Sequence, residues 1–101
     1  MILEVAVLNV LPGQEDAFIK TFTIAQGIIS KMEGCYSHQL KRCIENTSRF
    51  ILLVEWQELT DHTVGFRKSE DYQEWKKLLH HFYDPFPTVE HYENIVELAI
   101  A

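Results

Sequence analysis

The chain has 101 residues, of which 47% are hydrophobic and 12% aromatic, enough for one core and not for two. A single domain over residues 1–101 is therefore expected. Nine basic residues against fifteen acidic give a formal charge of −6 without any cluster of Lys or Arg, which argues against nucleic acid and anionic membrane surfaces as partners. The opening Met1-Ile2-Leu3-Glu4 has no basic leader and no run approaches the ~18 apolar residues of a membrane span, so a cytoplasmic protein is expected.

Ile2 to Val10 reads as a strand that is apolar on both faces, with Leu3, Val5 and Val7 on one side and Ile2, Ala6, Leu8 and Val10 on the other. Only Glu4 and Asn9 interrupt it. Pro12-Gly13 ends the strand, and Glu15 and Asp16 complement the dipole of a following helix. Phe18, Phe22, Ala25 and Ile29 recur at helical spacing, giving about four turns with one buried stripe, stopped near Gly34.

Cys35 to Cys43 alternates loosely as a second strand, with Tyr36, His38, Leu40 and Arg42 on one face and Cys35, Ser37, Gln39, Lys41 and Cys43 on the other. Two cysteines on one strand, eight residues apart, are separated by roughly 26 Å and cannot bond to each other. Reduced thiols are expected. The polar run Glu45-Asn46-Thr47-Ser48 makes a hairpin connection to the most strand-like segment, Arg49 to Trp56, where Phe50, Leu52, Val54 and Trp56 share a face. The length of that loop leaves the register between the two strands open.

Thr60-Asp61 is expected to cap a short helix through about Phe66, and Ser69 a second one with Glu70 and Asp71 in its first turn. Tyr72, Trp75, Leu79 and Phe82 form the apolar stripe of that second helix. Asp84-Pro85-Phe86-Pro87 breaks it, and Val89 to Leu98 reads as the last strand. Strand, helix, strand, repeated once, is the order of a split βαβ, ferredoxin-like α+β fold with a four-stranded antiparallel sheet.

Helices on one side of such a sheet should leave polar residues on the other, yet the first and third strands are apolar on both. A second sheet must cover that face, and an identical chain related by a twofold axis is the simplest source. A homodimer is expected.

Strongly spaced catalytic signatures such as HExxH, paired CxxC, a P-loop, GxGxxG and GxSxG are absent from the sequence. His80 and His81 are adjacent, so their side chains diverge by about 100° on a helix and cannot close on one metal. They read as a solvated pair at a helix end. No metal or cofactor is expected.

Gly34-Cys35-Tyr36, Arg49-Phe50-Ile51-Leu52, Glu55-Trp56, Phe66-Arg67-Lys68-Ser69, Tyr72 and Pro87-Thr88-Val89-Glu90-His91-Tyr92-Glu93 together resemble the antibiotic biosynthesis monooxygenase (ABM) domain family. The resemblance covers nearly the whole chain and implies a dimeric α/β barrel of ferredoxin-like subunits. It implies less about chemistry, since the family includes cofactor-free oxygenases of quinol-like polyketides, heme-degrading enzymes and an isomerase of a sugar phosphate. The Asn, Trp and His of the heme-degrading members fall by rough alignment on Ala6, Phe66 and about Lys76, so the resemblance does not extend to heme breakdown.

A pocket between helices and sheet is expected, walled by Phe22, Phe66, Tyr72, Trp75, Phe82 and one face of the last strand. Aromatic walls suit a small aromatic hydroquinone, and excluding water lets its anion meet dioxygen without side reactions. His91 or His38 would be the base, because an imidazole titrates near neutral pH. The functions that follow are a cofactor-independent monooxygenase of a hydroquinone or polyketide-like substrate, a small-molecule binding module without turnover, or a structural dimer with a solid core.

Overall fold

A computed structural model describes residues 1–96. Four strands, β1 (Ile2–Asn9), β2 (Cys35–Arg42), β3 (Arg49–Trp56) and β4 (Thr88–Glu93), form one antiparallel sheet in the order β2-β3-β1-β4. Two helices, α1 (Glu15–Ser30) and α2 (Glu70–Leu79), connect them. This is the ferredoxin-like split βαβ arrangement.

The helices pack on the face made by Ala6, Leu8, Phe50, Leu52, Val54 and Trp56, all buried. The stripe of α1 reads as its spacing predicts, with Phe18, Phe22, Ala25 and Ile29 turned inward. Phe18 is the centre of the packing, with ring centroids 5.0 Å from Phe50, 5.7 Å from Phe82 and 5.8 Å from Phe22. Ser69 caps α2 by accepting a hydrogen bond from the Tyr72 amide at 3.1 Å. Trp75 and Leu79 are the buried residues of α2, whereas Phe82 belongs to a 3-10 turn, His80–Phe82, that continues the stripe after the helix ends.

Several local expectations need correction. Asp61–Phe66 is a π-helical segment, in which the Arg67 amide donates to the His62 carbonyl five residues back. Thr60 does not cap it; the Asp61 carboxylate instead accepts from the Glu58 amide and closes the preceding turn. In β2 a bulge between Cys35 and Ser37 breaks the two-residue alternation, so Cys35 packs against the core while Tyr36 is exposed. Both cysteines are free, and Cys43 lies one residue past the strand. The last strand stops at Glu93, earlier than its apolar pattern implies, and Leu98 lies outside the described residues.

The opposite face carries Leu3, Val5, Val7, Ile51 and Leu53, each partly exposed, and no described element covers it. A recess of about 260 Å³ opens there, bordered by Leu3, Leu53, Gln39 and Tyr92.

Gly34 joins α1 to β2 with φ +83°, its carbonyl accepts a hydrogen bond from the Gln57 amide at 2.7 Å, and a Cβ there would collide with the Asp61 side chain. Gly13 has nearly the same conformation, φ +89°, but open space around it. Replacing either by Ala should cost about 1–2 kcal/mol of left-handed strain, and Gly34→Ala should cost about 1–3 kcal/mol more for the displaced neighbour. Chemical denaturation of the two variants measures the difference.

Candidate active site

Strand register sets out the site. His38 pairs with Val54, Val54 with Glu4, and Glu4 with His91, so these four residues form one row across the sheet. Their side chains share the helix-facing side, because partners in an antiparallel pair project to the same face. His38 and His91 therefore sit at opposite edges, three strand spacings or roughly 14 Å apart. They do not form one site.

His38 is held by Gln26 of α1, its Nε2 3.0 Å from the amide oxygen, and it borders no part of the cavity described below. His91 points toward the π-helical segment, its Nε2 2.7 Å from Nδ1 of His62. His62 is 3% exposed and stacks on the Trp56 indole with centroids 5.2 Å apart and planes 13° from parallel. Its other nitrogen, Nε2, faces Glu4 Oε1 at 3.4 Å. Glu4, 5% exposed, also accepts a 2.9 Å hydrogen bond from Trp56 Nε1.

Trp56, Glu4, His62 and His91 thus make a chain of polar contacts running from the core to the partly exposed edge strand. Burial pushes the Glu4 carboxyl above its ordinary range, against the downward pull of the Trp56 hydrogen bond and the Arg67 charge. Burial also pushes His62 down to about 3, helped by the positive charge of Arg67 and by His91. His91 is lowered by the same two influences, burial first and Arg67 second. Around neutral pH, His62 is a neutral imidazole with one N–H, so a proton on one of its nitrogens leaves the other free to accept. Such a ring can pass a proton between Glu4 and His91 without holding a charge itself.

A small cavity of about 50 Å³ lies against this chain, with Glu4 and His62 on its wall among Ala6, Leu52, Phe66 and Trp75. It adjoins a wider recess of about 350 Å³, and Arg67, Tyr72, His80, Pro87 and Val89 border both. Of the aromatic residues expected at the pocket, Phe66, Tyr72 and Trp75 line it. Phe22 and Phe82 do not, because Phe18 draws both rings into the centre of the core, where Phe22 also meets Trp75 at 5.7 Å. His91 does not border the cavity directly; it reaches the wall through His62.

His80 and His81 diverge as adjacency predicts, but only His81 is solvated. His80 is folded inward among Tyr72, Tyr83 and Phe86, and its Nδ1 is buried with no partner among the described residues. Among the described residues, no three His, Cys, Asp or Glu side chains converge as a metal site would require.

Sequence reasoning passed over Glu4 and His62. Glu4 carried a usable signal, since a carboxylate on the core-facing side of a strand must have a buried partner. His62 carried none, because its position depends on the π-helical turn.

The sequence model of the family described as antibiotic biosynthesis monooxygenase matches residues 1–78, and the chain belongs to that family. It is 52% identical over 95 residues to the uncharacterized protein YczJ of Bacillus subtilis (strain 168), covering 94% of this chain and 100% of that protein. A candidate antibiotic biosynthesis monooxygenase from Bordetella bronchiseptica has a similar solved structure, with a TM-score of 0.89 and 35% identity over 94% of this chain and 97% of that one. The cofactor-independent oxygenase SnoaB of Streptomyces nogalater shares the fold, with a TM-score of 0.76 and 15% identity over 96% and 95% of the two chains.

The unfolded chain protonates His62 near pH 6.5 and the folded chain resists it to about 3, so its contribution to stability is complete above pH 6.5 and is lost as the pH falls toward 3. Glu4, raised in the folded state, acts in the opposite sense: its contribution is present below 4.5 and lost as the pH rises through its folded value. Between pH 6.5 and 4.5 the stability advantage of wild type over His62→Gln should therefore shrink as the pH is lowered. Urea midpoints of the two proteins across that window measure it.

Proposed function

We propose that this member of the family is a homodimeric, cofactor-independent monooxygenase that acts on a small aromatic hydroquinone. The observation that carries the reading is a buried carboxylate and a buried imidazole, Glu4 and His62, on the wall of a cavity otherwise lined mainly by apolar and aromatic side chains. Sizes support a division of labour. A benzene ring needs a cavity of about 150 Å³ and a water about 10–15 Å³. The inner chamber of about 50 Å³ therefore suits dioxygen or water, and the outer recess of about 350 Å³ suits the ring.

The reaction balances without a metal or flavin, because the substrate supplies every electron. Glu4 borders the inner chamber, so it takes a phenolic proton through a water held there, and His62 links it to His91, whose partly exposed ring exchanges protons with solvent. The phenolate gives one electron to dioxygen, and the resulting radical pair joins at a ring carbon as a hydroperoxide. Loss of the ring hydrogen as a proton, with cleavage of the O–O bond, leaves a carbonyl, and the departing oxygen leaves as water with a proton returned from the base. One hydroquinone and one dioxygen give one hydroxyquinone and one water. The 3.4 Å gap between Glu4 and His62 exceeds the ~2.6–3.2 Å of a working transfer, a looseness common before substrate binds.

His91 is the base of this reading only through His62, and His38, held by Gln26 at the far edge of the sheet, has no part in it. Glu4→Gln and His91→Gln should each lower oxygen uptake with a hydroquinone panel by about 10²-fold. Since the two act as one unit, the double variant should be little worse than either single one. His38→Gln should stay near wild type. If His91→Gln and wild type consume oxygen equally, or neither consumes any, the reading gives way to a binding module without turnover.

The homodimer is part of the same proposal. Leu3, Val5, Val7, Ile51 and Leu53 make an apolar face too continuous to be left to solvent, and a twofold copy would cover it with the same surface. Sedimentation at low micromolar concentration should give about twice the 11.9 kDa chain mass. A monomer there that binds no hydrophobic dye would refute the dimer.

A further inference from the structure

We propose that the outer recess is an anion-reading subsite, so that the small molecule taken by this protein carries an acidic group, a carboxylate or a phosphate, seated between Arg67 and Lys76. The inference rests on the reading of the recess as the place where the aromatic ring binds, and it adds what that ring must carry.

Two observations support it. First, Arg67 and Lys76 both line the recess, and no described residue on its wall is a carboxylate. In a chain of net charge −6, two cations facing one cavity run against the overall field, and a local reversal of this kind selects for anions. Second, neither cation is spent on an ion pair among the described residues, where the one contact at ion-pair distance is His62 with Glu4. Arg67 is close enough to pull on Glu4, His62 and His91 without bonding to any of them.

The remaining wall fits an arene. Tyr72 and Phe86 offer ring surface, and Pro87 and Val89 offer aliphatic surface. Phe86 is 76% exposed, so the ring side of the recess is open to an incoming molecule. Burial, and then the charge of Lys76, lower the affinity of His80 for a proton. His80 is thus a neutral ring on that wall, and the full positive charges stay on Arg67 and Lys76. A guanidinium grips two oxygens of a carboxylate or phosphate at once, and an ammonium adds a point charge.

Calorimetric titration under nitrogen, using 2,5-dihydroxybenzoate and its neutral amide, isolates the acidic group from the ring. The acid should bind at least about 10-fold more tightly at low salt, and the gap should narrow in 0.5 M NaCl because exposed charges are screened there. Arg67→Gln should reduce the ratio of the two affinities to about twofold or less, and Lys76→Met should reduce it partway. A parallel comparison of benzoate with phenyl phosphate assigns the anion: the tighter of the two names the source. Should Arg67→Gln fail to fold, Lys76→Met and the salt dependence still decide. Equal affinity of acid and amide, or a ratio untouched by salt and by both variants, overturns the proposal. Binding is measured without oxygen, so a strong acid preference with no oxygen uptake would sink only the oxygenase reading. Oxygen uptake with no acid preference would sink only this one.

Discussion

The hydrogen bond from Trp56 Nε1 to Glu4 is the contact on which the rest of the interior depends. A carboxylate on the inward face of a central strand costs several kcal/mol to desolvate, and a hydrogen bond to a charged group returns about 1.5–3 kcal/mol. One donor is therefore insufficient. A second polar partner comes from the π-helical turn, which sets His62 flat on the same indole that binds Glu4 and brings its Nε2 to 3.4 Å from the carboxylate, short of a full hydrogen bond. Trp56 serves both partners, donating through its edge and stacking through its face. The partly exposed His91 then completes the unused nitrogen of His62, so a group that begins as a liability of strand β1 ends as a polar path to the edge of the sheet.

That path also separates two roles that one aromatic cavity would confuse. Phe18, Phe22, Phe50 and Phe82 form a solid aromatic centre under α1. Phe66, Tyr72 and Trp75 border open volume on the other side, near α2 and the π-helical turn. Packing one half tightly holds the other half's walls apart, which is how a domain of 101 residues keeps both a core and a cavity.

The regular parts of this architecture were legible in the sequence, because periods of 3.6 and 2 are written in the apolar residues themselves. Phe18, Phe22, Ala25 and Ile29 needed no structure to be placed, nor did Phe50, Leu52, Val54 and Trp56. What the periodicity hid lies where the chain departs from it. The bulge at Tyr36 returns Cys35 to the core side, the π-helical turn aims His62, and the turn after α2 folds His80 inward beside an exposed His81. The aromatic stripes gave rings their depth but not their side, so Phe22 and Phe82 read as pocket walls when Phe18 had already claimed them. His91 illustrates the limit best: its strand was legible, but its face depended on a register that only the pairing with Glu4 decides.

The two ends of the β2–β3 hairpin differ in how much change they can absorb. At one end the backbone of Gly34 meets Gln57, and Asp61 crowds close behind, so the chain there has neither spare length nor spare room. At the other, residues 43–48 turn at the far end of β3 from Val54 and Glu4, with Ile44 88% exposed. Extra residues inserted at that tip would lengthen a loop at small entropic cost and leave the row from His38 to His91 aligned. Lineages can therefore decorate this domain, and engineers can graft a peptide or a label onto it, at that corner without disturbing the row, which lies five residues from the loop along β2 and six along β3.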